Sequence, residues 1–452
     1  MLYPLSYGGS PDSLPECGRG GTGAIYSSPM AVPLDPALLP DTAVLEEDDV
    51  RVGGVSLRAL AEEFGTPVFV YDEATLRARA RAARAAFDEG VAYASKAFLC
   101  GAMARLAVEE GLDLDVATGG ELDLALRAGV PASRLVLHGN NKSPAELERA
   151  VGVGVRRVVV DGFDEIARLA DLVPPRGVDV LLRVTPGVEA HTHEFVRTGQ
   201  EDSKFGVSIS TGDAERAWRT LTDIPGVRLR GLHCHIGSQI FEFDGYRAAL
   251  EVVGSFLAGR DLDELCVGGG LGVAYVADER APTIAEWGAA IRAGAHAAGI
   301  DPATRLTAEP GRAIVARAGL TVYRAGTRKV TSARTYLAVD GGMSDNPRPV
   351  LYGSGYEAFD VARPREERPQ ALRLVGKHCE SGDVIVDEAW LPAATGVGDL
   401  VATPVTGAYG YAMASTYNRV PRPPVVFVAD GRARLVVRRE TVDDLARLEV
   451  ES

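Results

Sequence analysis

The chain is short of lysine, of cysteine and of long apolar segments, although it has 452 residues. Only five of the 48 basic residues are lysines, so a lysine inside an apolar strand pattern needs a specific reason. Five cysteines without paired spacing indicate free thiols in a reducing cytoplasm rather than a disulfide framework. No uncharged apolar run reaches about 18 residues, so the sequence predicts no membrane span.

The charge balance is acidic, since 62 acidic and 48 basic residues give a net charge of −14. This argues against a nucleic-acid-binding surface, but it leaves room for a local basic pocket that binds an anion. Charged residues make up 24% and hydrophobic residues 46% of the chain, which excludes global disorder. The length fits about three domains, or one barrel of about 250 residues with a smaller second domain.

The first 30 residues differ from the rest, because they are rich in Gly, Ser, Pro and Tyr and almost uncharged. They lack the basic start and apolar core of a secretory signal. We interpret residues 1–30 as a disordered extension, or as the result of a start site placed too early, with Met30 as the preferred beginning. The pattern Gly18-x-Gly20-x-x-Gly23 has no strand before it and no helix after it, so we do not interpret it as a dinucleotide site.

Residues 68–318 alternate between short apolar runs and segments of helical periodicity. The runs lie at 91–95, 112–116, 135–138, 157–160, 180–184, 229–236, 264–268 and 305–309. The helical segments lie at 73–89, 101–110, 119–128, 143–151, 162–171, 213–222, 243–258 and 283–298. Eight such units are typical of parallel βα repeats and favour a closed (β/α)8 TIM-type barrel over an open doubly wound sheet. A long insertion at 185–212 is expected to serve the site.

Beyond residue 318, short strand-like runs separated by turn residues replace the helical pattern. This predicts an all-β module over residues 319–452. The pattern of residues 31–60, before the barrel begins, also predicts strand and turn. We therefore expect a second, all-β domain that is built from both ends of the chain, 31–67 and 319–452.

Lys96 ends the first predicted barrel strand, in the segment VAYASKA. Strand alternation puts Ala94 and Lys96 on one face, at the carboxyl-terminal rim where such barrels carry out chemistry. One interpretation is an amine that forms an imine with a carbonyl cofactor or substrate. The other is a rim lysine whose stem packs on apolar surface while its ammonium stays in water.

Two further features at the predicted rim suit a phosphorylated cofactor. The segment Val267-Gly-Gly-Gly-Leu-Gly272 follows the seventh strand, where the backbone of barrel enzymes often binds phosphate, although alone it is equally a tight turn. Glu309 ends the eighth strand, and a carboxylate there can keep a pyridine nitrogen protonated. The neighbouring Arg312 is a natural clamp for a carboxylate.

The sixth predicted strand carries His233-Cys234-His235, whose two imidazoles share a face. Without further ligands at a useful spacing this pair is weak evidence for a metal, and we predict none. We prefer a flat imidazole of His235 that stacks on a cofactor ring. Ser238, just beyond it, is placed to donate a hydrogen bond to a phosphate.

Ten segments in sequence order carry a family resemblance between about residues 40 and 448. They are YASKAF, DVATGGEL, HGNNKS, HTHEFVRTGQEDSKFG, HCHIGSQI, VGGGLG, AEPGR, NPRPVLYG, CESGD and GAYGYAMAS. The sequence closely resembles the diaminopimelate decarboxylases, pyridoxal-phosphate enzymes of the alanine-racemase-like fold that are related to ornithine decarboxylases. The resemblance implies a barrel with a sandwich-like β-domain, and an obligate homodimer with sites at the subunit interface.

The resemblance also implies roles for individual residues. Lys96 matches the lysine that binds pyridoxal phosphate, and Cys379 matches a proton donor from the other subunit. The implied cofactor contacts are His235, Ser238, Gly269, Gly270, Glu309, Gly311, Arg312 and Tyr409. The implied substrate contacts are Arg312, Arg348, Tyr352, Glu380 and Tyr409. One departure lies past them, at Thr416-Tyr417-Asn418, where relatives usually have an aromatic residue and Gly before the Asn.

The implied reaction is decarboxylation of meso-2,6-diaminoheptanedioate to L-lysine and CO2, the last step of L-lysine biosynthesis. One alternative is a decarboxylase of the ornithine, arginine or carboxynorspermidine type, but a bare distal amine would want an acidic partner rather than Arg348. Another is a non-catalytic pyridoxal-phosphate carrier, which typically lacks the β-domain. We therefore expect a cytoplasmic, homodimeric carboxy-lyase without membrane or nucleic-acid partners.

Overall fold

The computed structural model describes residues 34–88, 90–188 and 203–450. The extension predicted over residues 1–30, with its glycine pattern, lies outside these ranges. Residues His191, His193 and Glu194 of the predicted insertion also lie outside them. Within the described ranges, no helix combines the length and the apolar character needed to cross a membrane.

The described strands and helices follow the predicted alternation closely. The strands are β1 (Val44–Leu45), β2 (Val50–Val52), β3 (Val55–Ser56), β4 (Val68–Asp72), β5 (Ala92–Ala94), β6 (Asp113–Val116), β7 (Leu135–Leu137), β8 (Arg157–Val160), β9 (Val178–Thr185), β10 (Val207–Ser208), β11 (Val227–His233), β12 (Glu264–Cys266), β13 (Arg305–Thr307), β14 (Gly319–Val330), β15 (Thr335–Val339), β16 (Phe359–Asp360), β17 (Gln370–Val375), β18 (Val384–Leu391), β19 (Leu400–Pro404), β20 (Val425–Ala429) and β21 (Arg432–Val437). The helices are α1 (Leu57–Phe64), α2 (Glu73–Ala86), α3 (Gly101–Glu109), α4 (Gly119–Arg127), α5 (Pro144–Val153), α6 (Phe163–Ala170), α7 (Asp213–Asp223), α8 (Asp244–Leu257), α9 (Ile284–Ala297), α10 (Arg312–Val315), α11 (Arg348–Tyr352) and α12 (Val442–Ala446).

Eight parallel strands form the barrel, in the spatial order β13-β12-β11-β9-β8-β7-β6-β5. The first and last of these strands meet, because the Ala92 N–H donates to Ala308 O at 3.0 Å and the Ala308 N–H donates to Gly90 O at 2.9 Å. Helices α2 to α9 alternate with the strands in the chain. The predicted (β/α)8 barrel is therefore confirmed, and its carboxyl-terminal rim gathers the ends of all eight strands.

An all-β sheet lies beside the barrel, in the order β18-β17-β15-β14-β4-β20-β21, with β19 paired to β14. Strand β4 pairs antiparallel with β14 and parallel with β20. The expectation that the barrel begins at residue 68 therefore does not match the pairing, because the chain leaves this sheet only after Asp72. The run Val-Phe-Val-Tyr is fully buried. A strand that is buried on both faces shows the same apolar sequence pattern in a barrel and in the sheet of the second domain.

The segment before β4 packs on the sheet that the C-terminal half forms. Strands β1 to β3 make a small antiparallel sheet, and Val50 and Val52 share a core with Val322 and Phe359. Helix α1 begins at Leu57, so the expectation of strand and turn is wrong for residues 57–60. The Ser56 hydroxyl caps this helix by accepting the Ala59 N–H at 3.0 Å.

Candidate active site

Most of the predicted cofactor residues meet in one cavity of about 380 Å³ at the carboxyl-terminal rim of the barrel. The predicted residues that line it are Lys96, His235, Ser238, Gly269, Gly270, Glu309, Gly311, Arg312 and Tyr409. Tyr409 comes from the segment after β19, and its N–H donates to Ala97 O at 2.8 Å. The cavity thus lies where the β-sheet region reaches the barrel rim.

Lys96 follows β5 in a short turn, and both Ala94 and Lys96 line the cavity. Its side chain is exposed because it faces this open space, although the site lies deep in the molecule. Burial alone would lower the pKa of the Lys96 ammonium, but the charge of Asp115 and the Tyr409 phenol raise it. The free amine is therefore held as an ammonium next to Asp115.

Glu309 forms a buried triad with two imidazoles. His138 Nε2 lies 2.7 Å from Glu309 Oε1, and His233 Nε2 lies 2.9 Å from Glu309 Oε2. A carboxylate can only accept, so the Nε2 atom of each imidazole carries the hydrogen. Burial alone would raise the pKa of Glu309, but the two imidazoles hold it well below its ordinary value. Glu309 is therefore an anion that is fixed at both oxygens.

The two histidines of the triad differ in charge. Burial alone would lower the pKa of His138, but Asp115 and Glu309 raise it above its ordinary value. Burial lowers the pKa of His233 to about 4, despite the opposing effect of Glu309. His138 is thus the charged partner of Glu309, and His233 is a neutral hydrogen-bond donor.

The ligand atoms of His138, His233 and Glu309 lie within 4.8 Å of one another, which raises the question of a metal. Both carboxylate oxygens already accept hydrogen bonds from the imidazoles at 2.7 and 2.9 Å. His235, the other histidine of the predicted pair, instead accepts the Gly269 N–H through Nδ1 at 3.1 Å. The two histidines of strand β11 and its extension thus make different contacts, and hydrogen bonding alone explains the triad.

The glycine-rich segment after β12 approaches its neighbours too closely for any side chain. A Cβ on Gly269 would lie 2.4 Å from a facing carbonyl oxygen. Gly270 has a φ of +112°, and a Cβ there would lie 2.5 Å from another carbonyl oxygen. Arg312 Nη2 donates to Ser238 Oγ at 3.0 Å beside it. Bare backbone, a hydroxyl and a guanidinium together make a cradle that fits a phosphate.

Arg348 is buried one layer behind the cavity rather than on its lining. Its Nη1 donates to the Tyr356 hydroxyl at 2.8 Å, and its guanidinium carbon lies 4.3 Å from the centre of the Tyr275 ring. The Tyr275 hydroxyl accepts from Arg312 Nη1 at 2.7 Å, and Arg312 lies 4.8 Å from the centre of the Tyr409 ring. The two guanidiniums are therefore connected through Tyr275, and Arg312 is the one that faces the cavity.

Besides Arg348, three predicted site residues do not line the cavity of their own chain: Tyr352, Cys379 and Glu380. Tyr352 ends α11 and is half-buried, whereas Cys379 and Glu380 are exposed in the turn between β17 and β18. The Cys379 N–H donates to Asn418 Oδ1 at 3.2 Å. The asparagine of the departing segment Thr416-Tyr417-Asn418 therefore helps to hold this turn.

The cavity also contains polar residues that the sequence analysis did not single out. Asp115 is the penultimate residue of β6, His138 follows β7, and Arg183 lies in β9 with its guanidinium 4.4 Å from the centre of the Phe205 ring. A signal for the first two was present, since each stands at or near the end of a strand run and within one of the motifs DVATGGEL and HGNNKS. The rule that selected Lys96 and Glu309, a polar residue at the end of a barrel strand, also selects them.

Proteins that are similar to this chain in sequence or in structure agree with this geometry. Residues 73–316 match the family model of the pyridoxal-binding domain of pyridoxal-dependent decarboxylases. The chain is 49% identical over 424 residues to the diaminopimelate decarboxylase of Mycobacterium tuberculosis, covering 89% of this chain and 95% of that protein. It is 46% identical over 424 residues to the diaminopimelate decarboxylase of Bacillus subtilis, with coverage of 89% and 95%. The structure of diaminopimelate decarboxylase from M. jannaschii in complex with L-lysine matches with a TM-score of 0.84 at 29% identity, covering 91% of this chain and 98% of that one.

Barrel, adjoining β-sheet and rim cavity define a pyridoxal-phosphate-dependent decarboxylase of the alanine-racemase-like fold. The cavity fits this cofactor, because it offers an amine, a fixed carboxylate and a glycine-lined cradle for its carbonyl, pyridine nitrogen and phosphate. Within that class, the chain belongs to the diaminopimelate decarboxylase family.

Proposed function

We propose that the protein decarboxylates meso-2,6-diaminoheptanedioate to L-lysine and CO2, the last step of L-lysine biosynthesis. The observation that carries this proposal is one cavity in which Lys96, the Glu309 triad and Arg312 converge. Arg312 favours this substrate over ornithine, because only the former has a distal carboxylate for a guanidinium to bind. The presence of the β-domain favours an enzyme over a cofactor carrier.

We assign the cofactor contacts as follows. Lys96 would bind the carbonyl of the cofactor, Glu309 would hold positive charge at its pyridine nitrogen, and the neutral His235 would contact its ring. Ser238, Gly269, Gly270 and Gly311 would hold the phosphate, and Arg312 and Tyr409 would contact both cofactor and substrate. When bound, pyridoxal phosphate supplies an electron sink for the electron pair that decarboxylation leaves on the α-carbon.

The chain's own residues then control where charges and protons lie in the cavity. His138 keeps Glu309 anionic, so the positive charge at the pyridine nitrogen has a fixed partner in a buried site. Asp115 keeps the free Lys96 amine protonated, so this amine can hold a proton in the cavity. Burial and the Lys96 charge lower the pKa of His235 well below its ordinary value, so the ring that faces the cofactor is neutral.

The direct test follows the reaction itself. Purified protein incubated with pyridoxal phosphate and meso-diaminoheptanedioate should form L-lysine and CO2 in equal amounts. Ornithine and arginine, supplied separately, should be decarboxylated far more slowly. Bound cofactor without CO2 from any of the three amino acids would favour the carrier alternative instead.

We further propose a homodimer with shared sites, in a cytoplasmic setting. Cys379, Glu380 and Tyr352 are given site roles by the family resemblance, yet none of them lines the cavity of its own chain. The exposed apolar side chains of Val350 and Leu351 stand beside Tyr352 on α11, where a second subunit would cover them. Cysteines 100, 234, 266 and 379 are free thiols, which suits a reducing compartment.

The same reasoning supports two domains. The barrel would hold the cofactor, and the β-domain would supply Cys379, Glu380 and the substrate-side Arg348. Because β4 pairs within the β-sheet, we place residues 68–72 with the 31–67 and 319–452 segments rather than with the barrel.

Subunit mixing tests the shared site. We expect Lys96→Ala and Cys379→Ala homodimers to be nearly inactive, because each site then lacks one essential group. After denaturation and joint refolding, a mixed dimer combines one intact Lys96 with one intact Cys379 and should recover part of the turnover. Mass spectrometry should verify that subunits exchanged. Verified exchange without any recovery would contradict sharing of the site.

Replacing Arg348 by Met should weaken substrate selection more than general activity. Arg348 lies behind the cavity and contacts Tyr275, which accepts from Arg312, so its loss should displace the Arg312 guanidinium. A misplacement of about 1 Å can cost about 100-fold, and we expect a fall of about that size in kcat/KM for the proposed substrate. Cadaverine has two amines but no carboxylate, so its inhibition constant should change little. Arg328→Met, on the exposed part of β14, is the matched control. Equal losses for substrate and cadaverine would show that Arg348 supports the fold or the cofactor instead.

A further inference from the structure

The loop after β7 contains a buried lysine for which the proposed reaction has no use. The Lys142 side chain is 1% exposed, and its Nζ lies 2.7 Å from Glu165 Oε1. The same Nζ donates to Gly139 O at 2.8 Å and to Val159 O at 2.7 Å. The Lys142 ammonium thus donates two hydrogen bonds to backbone carbonyls and forms an ion pair with Glu165, all inside the protein.

One of these partners, the carbonyl of Gly139, connects Lys142 to the cavity. Gly139 and Asn140 line the cavity, and the preceding residue, His138, donates to Glu309. Gly139 has a φ of +119°, and a Cβ there would lie 2.9 Å from Ala117 O, so the turn is tightly confined. The ammonium thus holds the carbonyl of the residue that directly follows the charged histidine of the triad.

Glu165, the ion-pair partner of Lys142, extends the same network around the rim. Glu165 Oε2 accepts the Asp161 N–H at 2.9 Å, just after β8. Asp161 Oδ2 in turn accepts the Gly206 N–H at 2.9 Å, and Gly206 follows Phe205, which lines the cavity. Lys142 therefore joins the ends of β7 and β8 and, through Asp161, the segment that precedes β10.

Fold stability alone is a poor explanation for such a pair. Burial of an ion pair costs desolvation of both charges, and well-packed apolar residues of similar volume often replace it without loss of stability. Burial lowers the pKa of Lys142 and raises the pKa of Glu165, which shows the direction of that cost. An apolar pair cannot supply the two directed hydrogen bonds and the ion pair that connect Lys142 to separate rim segments.

We propose that Lys142 is a positioning residue that fixes the His138–Asn140 loop, and with it the Glu309 triad, against the cofactor cavity. Lys142 itself does not line the cavity, so it acts through the loop rather than on the substrate. The rate effect rests on the proposed function, whereas the effect on cofactor binding does not.

The test compares a single and a double variant. Lys142→Met leaves the buried Glu165 charge unpaired, so the Tm should fall by about 5–10 °C. Lys142→Met combined with Glu165→Gln removes that charge, keeps an acceptor for the Asp161 N–H and should regain most of the Tm. The double variant should still lose roughly 10- to 100-fold in kcat, because the loop is displaced. Its Kd for pyridoxal phosphate, measured by absorbance titration of the apoprotein, should rise as well.

Arg157→Met is the matched control, since Arg157 is a largely buried cation paired with Asp179 and Glu264 at the opposite end of the barrel. It should lower the Tm but leave kcat and cofactor Kd unchanged.

If the double variant regains kcat and cofactor Kd together with its Tm, the pair only stabilises the fold and the proposal is overturned. Should both Lys142→Met variants fail to fold, Lys142→Arg decides, and unchanged kcat and Kd in that variant would overturn the proposal too. A wild-type protein that binds cofactor but forms no lysine would refute the proposed function, while the Kd comparison would still test Lys142.

Discussion

Lys96→Ala will bind pyridoxal phosphate only non-covalently and will lose turnover at least about 1,000-fold, because general acid–base assistance alone contributes roughly 10²- to 10⁴-fold. The effect should be this large because Lys96 is the amine that we propose to bind the cofactor carbonyl, and its free form is the ammonium held beside Asp115. The measurement is the visible absorbance of the lysine-bound cofactor together with kcat.

Borohydride reduction followed by peptide mass spectrometry identifies the labelled residue directly. In the wild-type protein the label should be on Lys96, and in Lys96→Ala it should be absent. Lys329→Ala is the control, because Lys329 is exposed on β14 and should change neither the label nor the rate. A label that persists in Lys96→Ala, for example on Lys204 next to Phe205, would disprove the assignment.

Glu309→Gln is expected to have the second largest effect. The substitution keeps the shape of the side chain but removes the negative charge that His138 and His233 hold in place. Loss of one member of a buried charge pair costs roughly 2–5 kcal/mol, which corresponds to about a 30-fold to several-thousand-fold loss in kcat. The KM for substrate should change much less, because the proposed contact of Glu309 is with the cofactor ring rather than with the substrate.

The control for this variant is a carboxylate at the other end of the same barrel. Glu264 pairs with Arg305 at 2.7 Å and accepts from Thr307 at 3.0 Å, away from the rim. Glu264→Gln should lower the Tm without changing kcat in the folded protein. A Glu309→Gln enzyme with the kcat of the wild type would show that the carboxylate charge is not needed for the reaction.

Local periodicity was sufficient to predict the barrel, and position along the strands was sufficient to predict most of the cavity. Lys96 and Glu309 were found because each ends an apolar run, and closure of the barrel brings such ends together. Helix α1 was missed because its eight residues give a short periodic signal between two strand-rich stretches. Strand β4 was assigned to the barrel because its sequence does not encode which neighbouring strands it will meet.

Tertiary packing explains the remaining differences in the site. Arg348 and Arg312 look like equivalent clamps in the sequence, but Tyr275 separates Arg348 from the cavity. Nothing local in the NPRPVLYG segment specifies this, since Tyr275 belongs to the loop after β12. In the same way, the CESGD motif does not reveal that Cys379 is exposed on its own chain.

The pairing of β4 with β14 makes the barrel an insertion that leaves and re-enters the β-sheet through adjacent strands. Tyr71 pairs with Gly319, and the Asp72 N–H donates to Ala318 O at 2.8 Å, so the two connections are hydrogen-bonded to each other. A single flexible linker permits one domain to swing away from another, whereas two paired strands resist both bending and twisting. Opening of the cavity for substrate entry should therefore come from rim loops that move individually, with the two parts of the chain moving as one body.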